Sequence, residues 1–261
     1  MGRSDKERLD VLLVERGLAE SRDRAQALIL AGRVVVNEHR RDKPGERIAV
    51  DAVVTVKQRD EWASRGAHKL LGALESFPDL ETRIEGARCL DIGASTGGFS
   101  DVLLKHGAVE VIALDVGYGQ LHWRLQSDPR VTVMDRTNVR HLPPGALPWA
   151  PDVITCDTSF ISVRLFVDVM YRELRPGGVA VVLVKPQFEV ARDRVDPGGV
   201  VRDDDVRRDA LEGVREEAVR HGFGVLGAID SPLPGPQGNR EWLLVMEKPT
   251  KETPQITPGS V

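Results

Sequence analysis

From residue 87 onward the chain alternates short apolar runs with stretches of helical spacing, and that alternation leaves few choices of fold. The runs are Arg88 to Ile92, Val109 to Asp115, Val131 to Asp135, Asp152 to Asp157, Val179 to Lys185, Phe223 to Ile229 and Glu241 to Glu247. They predict an α/β domain built on a doubly wound, mostly parallel sheet of seven strands. Four runs carry a charged residue at or beside the carboxyl end: Asp91, Asp115, Asp157 and Lys185. Ligands of such sheets sit beyond the carboxyl ends of the strands, so these side chains are expected to converge on one crevice.

The first run leads into Gly93-Ala94-Ser95-Thr96-Gly97-Gly98, and Phe99, Val102 and Leu103 then follow at helical spacing. Strand, glycine turn and helix in that order let a ligand approach bare backbone beside free helix N–H groups, which suits a nucleotide-like cofactor. Three residues separate Gly93 from the Gly97-Gly98 pair, so this is not the Gly-x-Gly-x-x-Gly dinucleotide fingerprint. The candidate cofactor contacts are Asp91, Gly93, Ser95, Thr96, Gly97, Gly98 and Phe99. Asp115, about twenty residues beyond the loop, is placed to accept from ribose hydroxyls. Asp135, at the third strand end, is placed to meet an adenine amine.

Lys185 directly follows the apolar run Val179 to Val184 and precedes Pro186-Gln187-Phe188-Glu189. An amine there is costly to desolvate, and desolvation pushes it towards the neutral form that accepts a proton. The plainer alternative is a lysine that snorkels to solvent. Lys69 opens a helical pattern, Leu70, Leu71, Leu74, Phe77, where its charge opposes the helix dipole. The stretch 187–205, containing Asp196-Pro197-Gly198-Gly199, is expected to be a mobile loop over the crevice, followed by a helix from Val206 to His221.

Residues 8–57 have a different rhythm. Leu9, Leu12, Leu13 and then Ala25, Leu28, Ile29 predict two short amphipathic helices, the second capped by Ser21 and ended by Gly32. A short strand at 33–37, a basic loop through Arg40, Arg41 and Lys43, and further strands from Ile48 to Val56 follow. Residues 22–47 hold seven Lys/Arg and four Asp/Glu, a local balance of +3. Charge alone favours a solvated helix face.

Across all 261 residues the formal charge is −4, so any nucleic-acid contact has to come from a local patch of this kind. No run approaches the ~18 apolar residues needed to cross a bilayer, and the opening residues are too polar for a secretory signal, so a cytoplasmic protein is expected. Cys89 and Cys156 each fall inside an apolar run and are expected to be buried free thiols.

Two resemblances sharpen these expectations. Arg8-Leu9-Asp10, Gly17-Leu18, Ser21-Arg22, Ala25, Leu28-Ile29, Gly32, Val34, Val36-Asn37 and Lys43-Pro44-Gly45 together resemble the S4-like (alpha-L) RNA-binding domain, a small α+β module that grips folded RNA by shape and phosphate charge. That resemblance implies that Arg8, Arg22, Arg24 and Lys43 face ribosomal RNA. Further on, Ser64-Arg65-Gly66-Ala67-His68-Lys69-Leu70, Asp91 to Phe99, Asp115 to Leu121, Asp157-Thr158-Ser159-Phe160-Ile161-Ser162, Val184 to Val190 and Gly238-Asn239-Arg240-Glu241 resemble the TlyA family. Its members, historically called hemolysins, are similar to FtsJ-like RNA methyltransferases with an S4-like domain in front.

The resemblance places domains at 1–59 and 64–248 with a linker at 60–63, and the Pro-, Thr- and Lys-rich composition of the last residues predicts a flexible tail at 249–261. The resemblance implies a Rossmann-like sheet and S-adenosylmethionine-dependent 2′-O-methylation of cytidine in ribosomal RNA, with ribosomal subunits as partners and Arg65 as a further RNA contact. The chemistry requires no metal, the lack of an apolar span argues against a membrane, and the sequence leaves the oligomeric state open, with a monomer expected. The resemblance also carries a Lys-Asp-Lys-Glu set onto Lys69, Asp157, Lys185 and Glu241. In that set Lys185 either takes the proton of the 2′-hydroxyl or, charged, stabilises the developing alkoxide, while Asp157 and Glu241 orient it and Lys69 helps hold the ribose. Family members that methylate both ribosomal subunits carry an Arg-x-Trp-Val connector, whereas here Asp60 and Ala63 flank Glu61-Trp62. Competing expectations are a ribosome-binding factor without catalysis and a membrane-lysing protein.

Overall fold

In a computed structural model that describes residues 5–56, 61–235 and 237–250, the chain forms two compact units, Met1–Glu61 and Trp62–Val261. Asp60 of the expected linker and residues 251–261 of the expected tail lie outside the described residues.

The first unit runs β1 (Lys6–Arg8), α1 (Leu9–Glu15), α2 (Arg22–Leu30), β2 (Val34–Val36), β3 (His39–Arg41), β4 (Arg47–Ala49) and β5 (Val54–Val56). Leu9, Leu12 and Leu13 of α1 and Ala25, Leu28 and Ile29 of α2 close a core with Val34, Val36 and Ile48. The Ser21 hydroxyl accepts from the Arg24 amide at 3.2 Å and caps α2, and Gly32, at φ +66°, ends it. β1 pairs antiparallel with β4, while β2 lies between β3 and β5. The segment expected as a basic loop is therefore partly a strand. Asn37 and Glu38 both take positive φ, 46° and 67°, the tight hairpin turn that folds Arg40 and Arg41 back along β2.

The second unit opens with α3 (Ala67–Ser76) and α4 (Asp79–Ile84), then alternates: β6 (Arg88–Ile92), α5 (Gly98–Lys105), β7 (Glu110–Leu114), α6 (Trp123–Gln126), β8 (Val131–Met134), β9 (Val153–Cys156), α7 (Val167–Glu173), β10 (Val179–Val184), α8 (Pro186–Glu189), α9 (Asp204–Arg220), β11 (Gly224–Asp230) and β12 (Trp242–Glu247). All seven expected strands are present, in the order β11-β12-β10-β9-β6-β7-β8. The five from β10 to β8 are parallel, and β12 runs antiparallel between β10 and β11.

Side chains alternate between two cores. Cys89, Val111 and Ala113 face the layer of α3 and α5, while Leu90, Ile92, Ile112 and Leu114 face that of α7 and α9. Both cysteines are free and buried, and burial pushes the Cys156 thiol up to about 12, so neither is a ready nucleophile.

The stretch 187–205, expected as a loop, carries regular structure and is tied down by side chains. It contains α8 and a bridge between Asp196 and Val200, and it buries Val201. Asn239 pins it at two points, accepting from the Val201 amide and donating to the Gly199 carbonyl, both at 2.8 Å.

Candidate active site

Strand order reverses at β6, which is followed by β7 on one side and bordered by β9 on the other, so a crevice opens at the carboxyl ends of these strands. A cavity of about 940 Å³ occupies it, walled by the ends of β6 and β7, the loop 137–140 and the loop 157–162. A smaller hollow of about 280 Å³, beside Arg83, Asp152, Arg175 and Gly177, lies at the opposite, amino ends of the strands and is lined by none of Asp91, Asp115 and Asp157.

Of the candidate cofactor residues, Gly93, Ser95 and Asp115 line the large cavity. Gly93 takes φ +78°, and a Cβ there would lie 2.6 Å from the Asp157 carbonyl oxygen, so only glycine lets the two strand ends meet. Asp115 accepts from the Ser95 amide at 2.8 Å and from the Gly117 amide at 2.7 Å, which fixes its carboxylate at the cavity wall.

The remaining loop residues stand behind that wall. Gly97, at φ +91°, is overlaid by Leu121 and Leu125, Gly98 packs against Ser64 and the Ala67 amide, and Phe99 is in the core. The Thr96 carbonyl accepts from the His122 amide at 3.1 Å. Asp91 is buried and accepts from Ser100 N and Oγ at 2.9 and 2.6 Å and from Thr155 Oγ1 at 2.9 Å, so it ties α5 and β9 to β6. Burial raises its carboxyl to about 6 against these bonds. Asp135 is turned to the Gly119 amide at 2.8 Å, because the chain reverses at Arg136, φ +54°, and the next segment, Thr137 to Arg140, reaches the cavity instead.

Four side chains that are far apart in sequence meet at the rim beside Asp157. Lys69 Nζ, from the first turn of α3, lies 2.6 Å from Glu241 Oε2 and 3.9 Å from Asp157 Oδ2. Lys185 Nζ lies 2.6 Å from Asp157 Oδ1 and donates to Ser159 Oγ at 2.8 Å. All but Asp157 are buried, and Asp157 itself lines the cavity. The Lys185–Asp157 contact is one of charge rather than of hydrogen-bond geometry. Asp157 Oδ1 and Glu241 Oε1 are both buried without a hydrogen-bond donor among the described residues. The Lys185 ammonium compensates the first by charge, and the second lies enclosed beside Gly235.

The sequence singles out the stretches Asp157–Ser162 and Lys185–Glu189 but does not show that Thr158 to Ser162 and Phe188 wall the cavity, nor any role for Glu189. Phe160, within that wall, is exposed and takes φ +68°. Such backbone in a non-glycine residue is uncommon and gathers at functional sites. The signal available was the proximity of this stretch to Asp157.

In the first unit, the candidate RNA contacts Arg8 and Arg22 converge on Asp10, which is fully buried. Arg8 binds it through Nε and Nη2 at 3.0 and 2.9 Å, Arg22 through Nε at 3.0 Å, and Gln26 adds a bond at 2.9 Å. The Arg8 guanidinium holds the Asp10 carboxyl well below the usual carboxylate range. Arg24 and Lys43 are exposed, as is Arg65 at the start of the second unit. Among the described residues no helix is long and apolar enough to cross a membrane.

Comparison with known proteins matches residues 62–248 to the FtsJ-like methyltransferase family and residues 7–54 to the S4 domain. A relative from Mycobacterium tuberculosis, named 16S/23S rRNA (cytidine-2′-O)-methyltransferase TlyA, is 46% identical over 245 residues, 93% of this chain and 90% of its own length. Hemolysin A of Brachyspira hyodysenteriae is 39% identical over 237 residues, 90% of this chain and 98% of its own. A solved structure of a hemolysin-named protein from Streptococcus thermophilus superposes with a TM-score of 0.71 at 40% identity, covering 97% of this chain and 93% of that one.

Proposed function

The chain belongs to the TlyA family of FtsJ-like methyltransferases, and from that membership we propose that it transfers a methyl group from S-adenosylmethionine to the 2′-hydroxyl of a cytidine in ribosomal RNA, in the cytoplasm. The observation that carries the proposal is the meeting of Lys69, Asp157, Lys185 and Glu241 beside the cavity that Asp157 lines.

The residues suit the cofactor. The cavity has ample volume for a nucleoside, its floor at Gly93 admits no side chain, and Asp115 offers carboxylate acceptors of the kind ribose hydroxyls use. When bound, S-adenosylmethionine supplies a methyl group on a sulfonium sulfur. In this reading Gly93, Ser95 and Asp115 hold it, and Asp91, Gly97, Gly98 and Phe99 keep their loop in shape.

The chain's own part is alignment and proton handling. Lys185 faces the incoming hydroxyl and either accepts its proton or holds positive charge against the forming oxyanion. Asp157 fixes the Lys185 amine from the cavity side, and Lys69, tied to Glu241, fixes Asp157 from behind. Substrate binding falls to the basic surface of the S4-like unit, with Arg8, Arg22, Arg24 and Lys43 against phosphates and Arg65 as a further contact.

The test is transfer of labelled methyl from S-adenosylmethionine to ribosomal subunits, followed by alkaline digestion of the RNA. A methylated 2′-oxygen blocks alkaline cleavage at its own linkage, so the label is expected in a resistant dinucleotide. Lys185→Ala is expected to abolish transfer while the cofactor still binds. Label in alkali-labile mononucleotides would move the reaction to the base and refute 2′-O-transfer.

A further inference from the structure

We infer that Glu189 is a positioning residue for Lys185, acting through the loop that follows Asp157. The inference rests on the reaction proposed above only for its kinetic consequence. Its structural content stands on the contacts alone.

Two segments leave the carboxyl ends of the adjacent parallel strands β9 and β10, residues 157–162 and 185–189. They are stitched together at two points. At one, Lys185 Nζ donates to Ser159 Oγ at 2.8 Å. At the other, both oxygens of the buried Glu189 carboxylate are used: Ser162 Oγ donates to Oε2 at 2.6 Å and the Val163 amide donates to Oε1 at 2.8 Å. Arg164 is the charged neighbour of this second stitch, with Nε 3.5 Å from Oε2 and Nη2 donating to the Glu189 carbonyl at 2.8 Å.

Between the stitches sits Phe160, its backbone left-handed and its ring exposed but leaning on Phe188 at 5.5 Å between centroids. Such backbone persists only where the surroundings over-determine it. The surroundings here are the two stitches. Burial also pushes the Glu189 carboxyl up, a cost that Ser162, the Val163 amide and the nearby Arg164 charge reduce. If Glu189 let go, the loop would relax at Phe160 and carry Ser159 away from Lys185. The amine would then keep Asp157 as its charged neighbour but lose the hydroxyl that fixes its direction.

The experiment uses the full chain with Cε-labelled lysine and follows the Lys185 resonance, assigned by Lys185→Arg, through a pH titration in wild type, E189Q, S162A and the double variant. Transfer to ribosomal RNA is measured alongside. The expected result is that both single variants move the Lys185 resonance in the same direction and lower kcat tenfold or more, and that the double variant is no worse than either single one, because all act on one linkage. S162A removes a hydroxyl without unpairing a charge, so it decides the matter even if E189Q does not fold. A Lys185 resonance unmoved in S162A overturns the inference, as do strictly additive losses. If the resonance moves while wild type transfers no methyl, the proposed reaction fails and the clasp stands. If wild type transfers and the resonance stays, the clasp fails alone.

Discussion

Glu241 is buried with one oxygen on Lys69 and, among the described residues, no hydrogen-bond donor on the other, so the Lys69 amine is the cation that balances its charge. Removing one partner of a buried ion pair costs about 3–5 kcal/mol, because the survivor stays charged and dry. Lys69→Met is therefore expected to destabilise the second unit by about that amount. Adding Glu241→Gln removes the stranded charge, so Lys69→Met/Glu241→Gln is expected to regain most of the stability in urea unfolding. Methyl transfer in the double variant should stay absent, since neither substitution restores a cation behind Asp157. A double variant as unstable as Lys69→Met would mean that the Lys69 stem, and not its charge, is what the fold needs. Recovered transfer would remove the pair from the site.

Among the elements, α1 and α2 show how a fold can prepare a binding surface. Asp10 sits in the first turn of α1, and from there it holds Arg8 at the end of β1 and Arg22 at the start of α2. Hydrogen bonds to a charged group contribute about 1.5–3 kcal/mol each net of desolvation, and the Asn amide keeps one acceptor, so Asp10→Asn is expected to cost the first unit about 2 kcal/mol. It should also free both guanidiniums to wander. RNA affinity is then expected to fall several-fold in filter binding, and its salt dependence should stay steep because no cation was removed, whereas Arg22→Ala/Lys43→Ala should flatten it. Equal flattening in Asp10→Asn would show that the arginines had left the surface altogether.

These helices were legible in sequence because Leu9, Leu12, Leu13 and Ala25, Leu28, Ile29 repeat at the helical period, and the seven large-sheet strands because their runs are apolar, short and bounded by turn residues. Lys69, Asp157, Lys185 and Glu241 were legible only as strand-end and helix-start charges, and resemblance joined them. The β3 strand was missed because three basic residues in a row carry no apolar alternation. The regular structure within 187–205 was missed because its anchor, Asn239, lies about forty residues downstream. The wall from Thr158 to Ser162 has no period to read, since its shape comes from contacts with Lys185 and Glu189.

The two units of the molecule respond to acid in opposite ways. Asp91, in the second unit, has a carboxyl raised by burial from 3.8 to about 6, so the folded state holds a proton that the unfolded chain releases between those values. Its contribution to stability is complete below the unfolded value and is lost as pH rises through about 6. A difference of roughly two pH units corresponds to about 3 kcal/mol. Glu189 is raised for the same reason and acts in the same sense. Asp10, in the first unit, is lowered by Arg8, so its contribution is present above 3.8 and is lost as pH falls below it. Hydrogen exchange on the full chain, corrected for the intrinsic pH dependence of the rate, separates the two by region. Peptides from β6 and α5 are expected to gain protection between pH 7.5 and 5, while those from α1 and α2 hold steady. Between pH 5 and 3 the α1 and α2 peptides should lose protection. In Asp91→Asn the gain at β6 and α5 should shrink, because the amide cannot take up the proton. Protection that rose or fell together in both regions would mean that neither buried carboxylate governs its own core, and that the charge balance of the whole chain does.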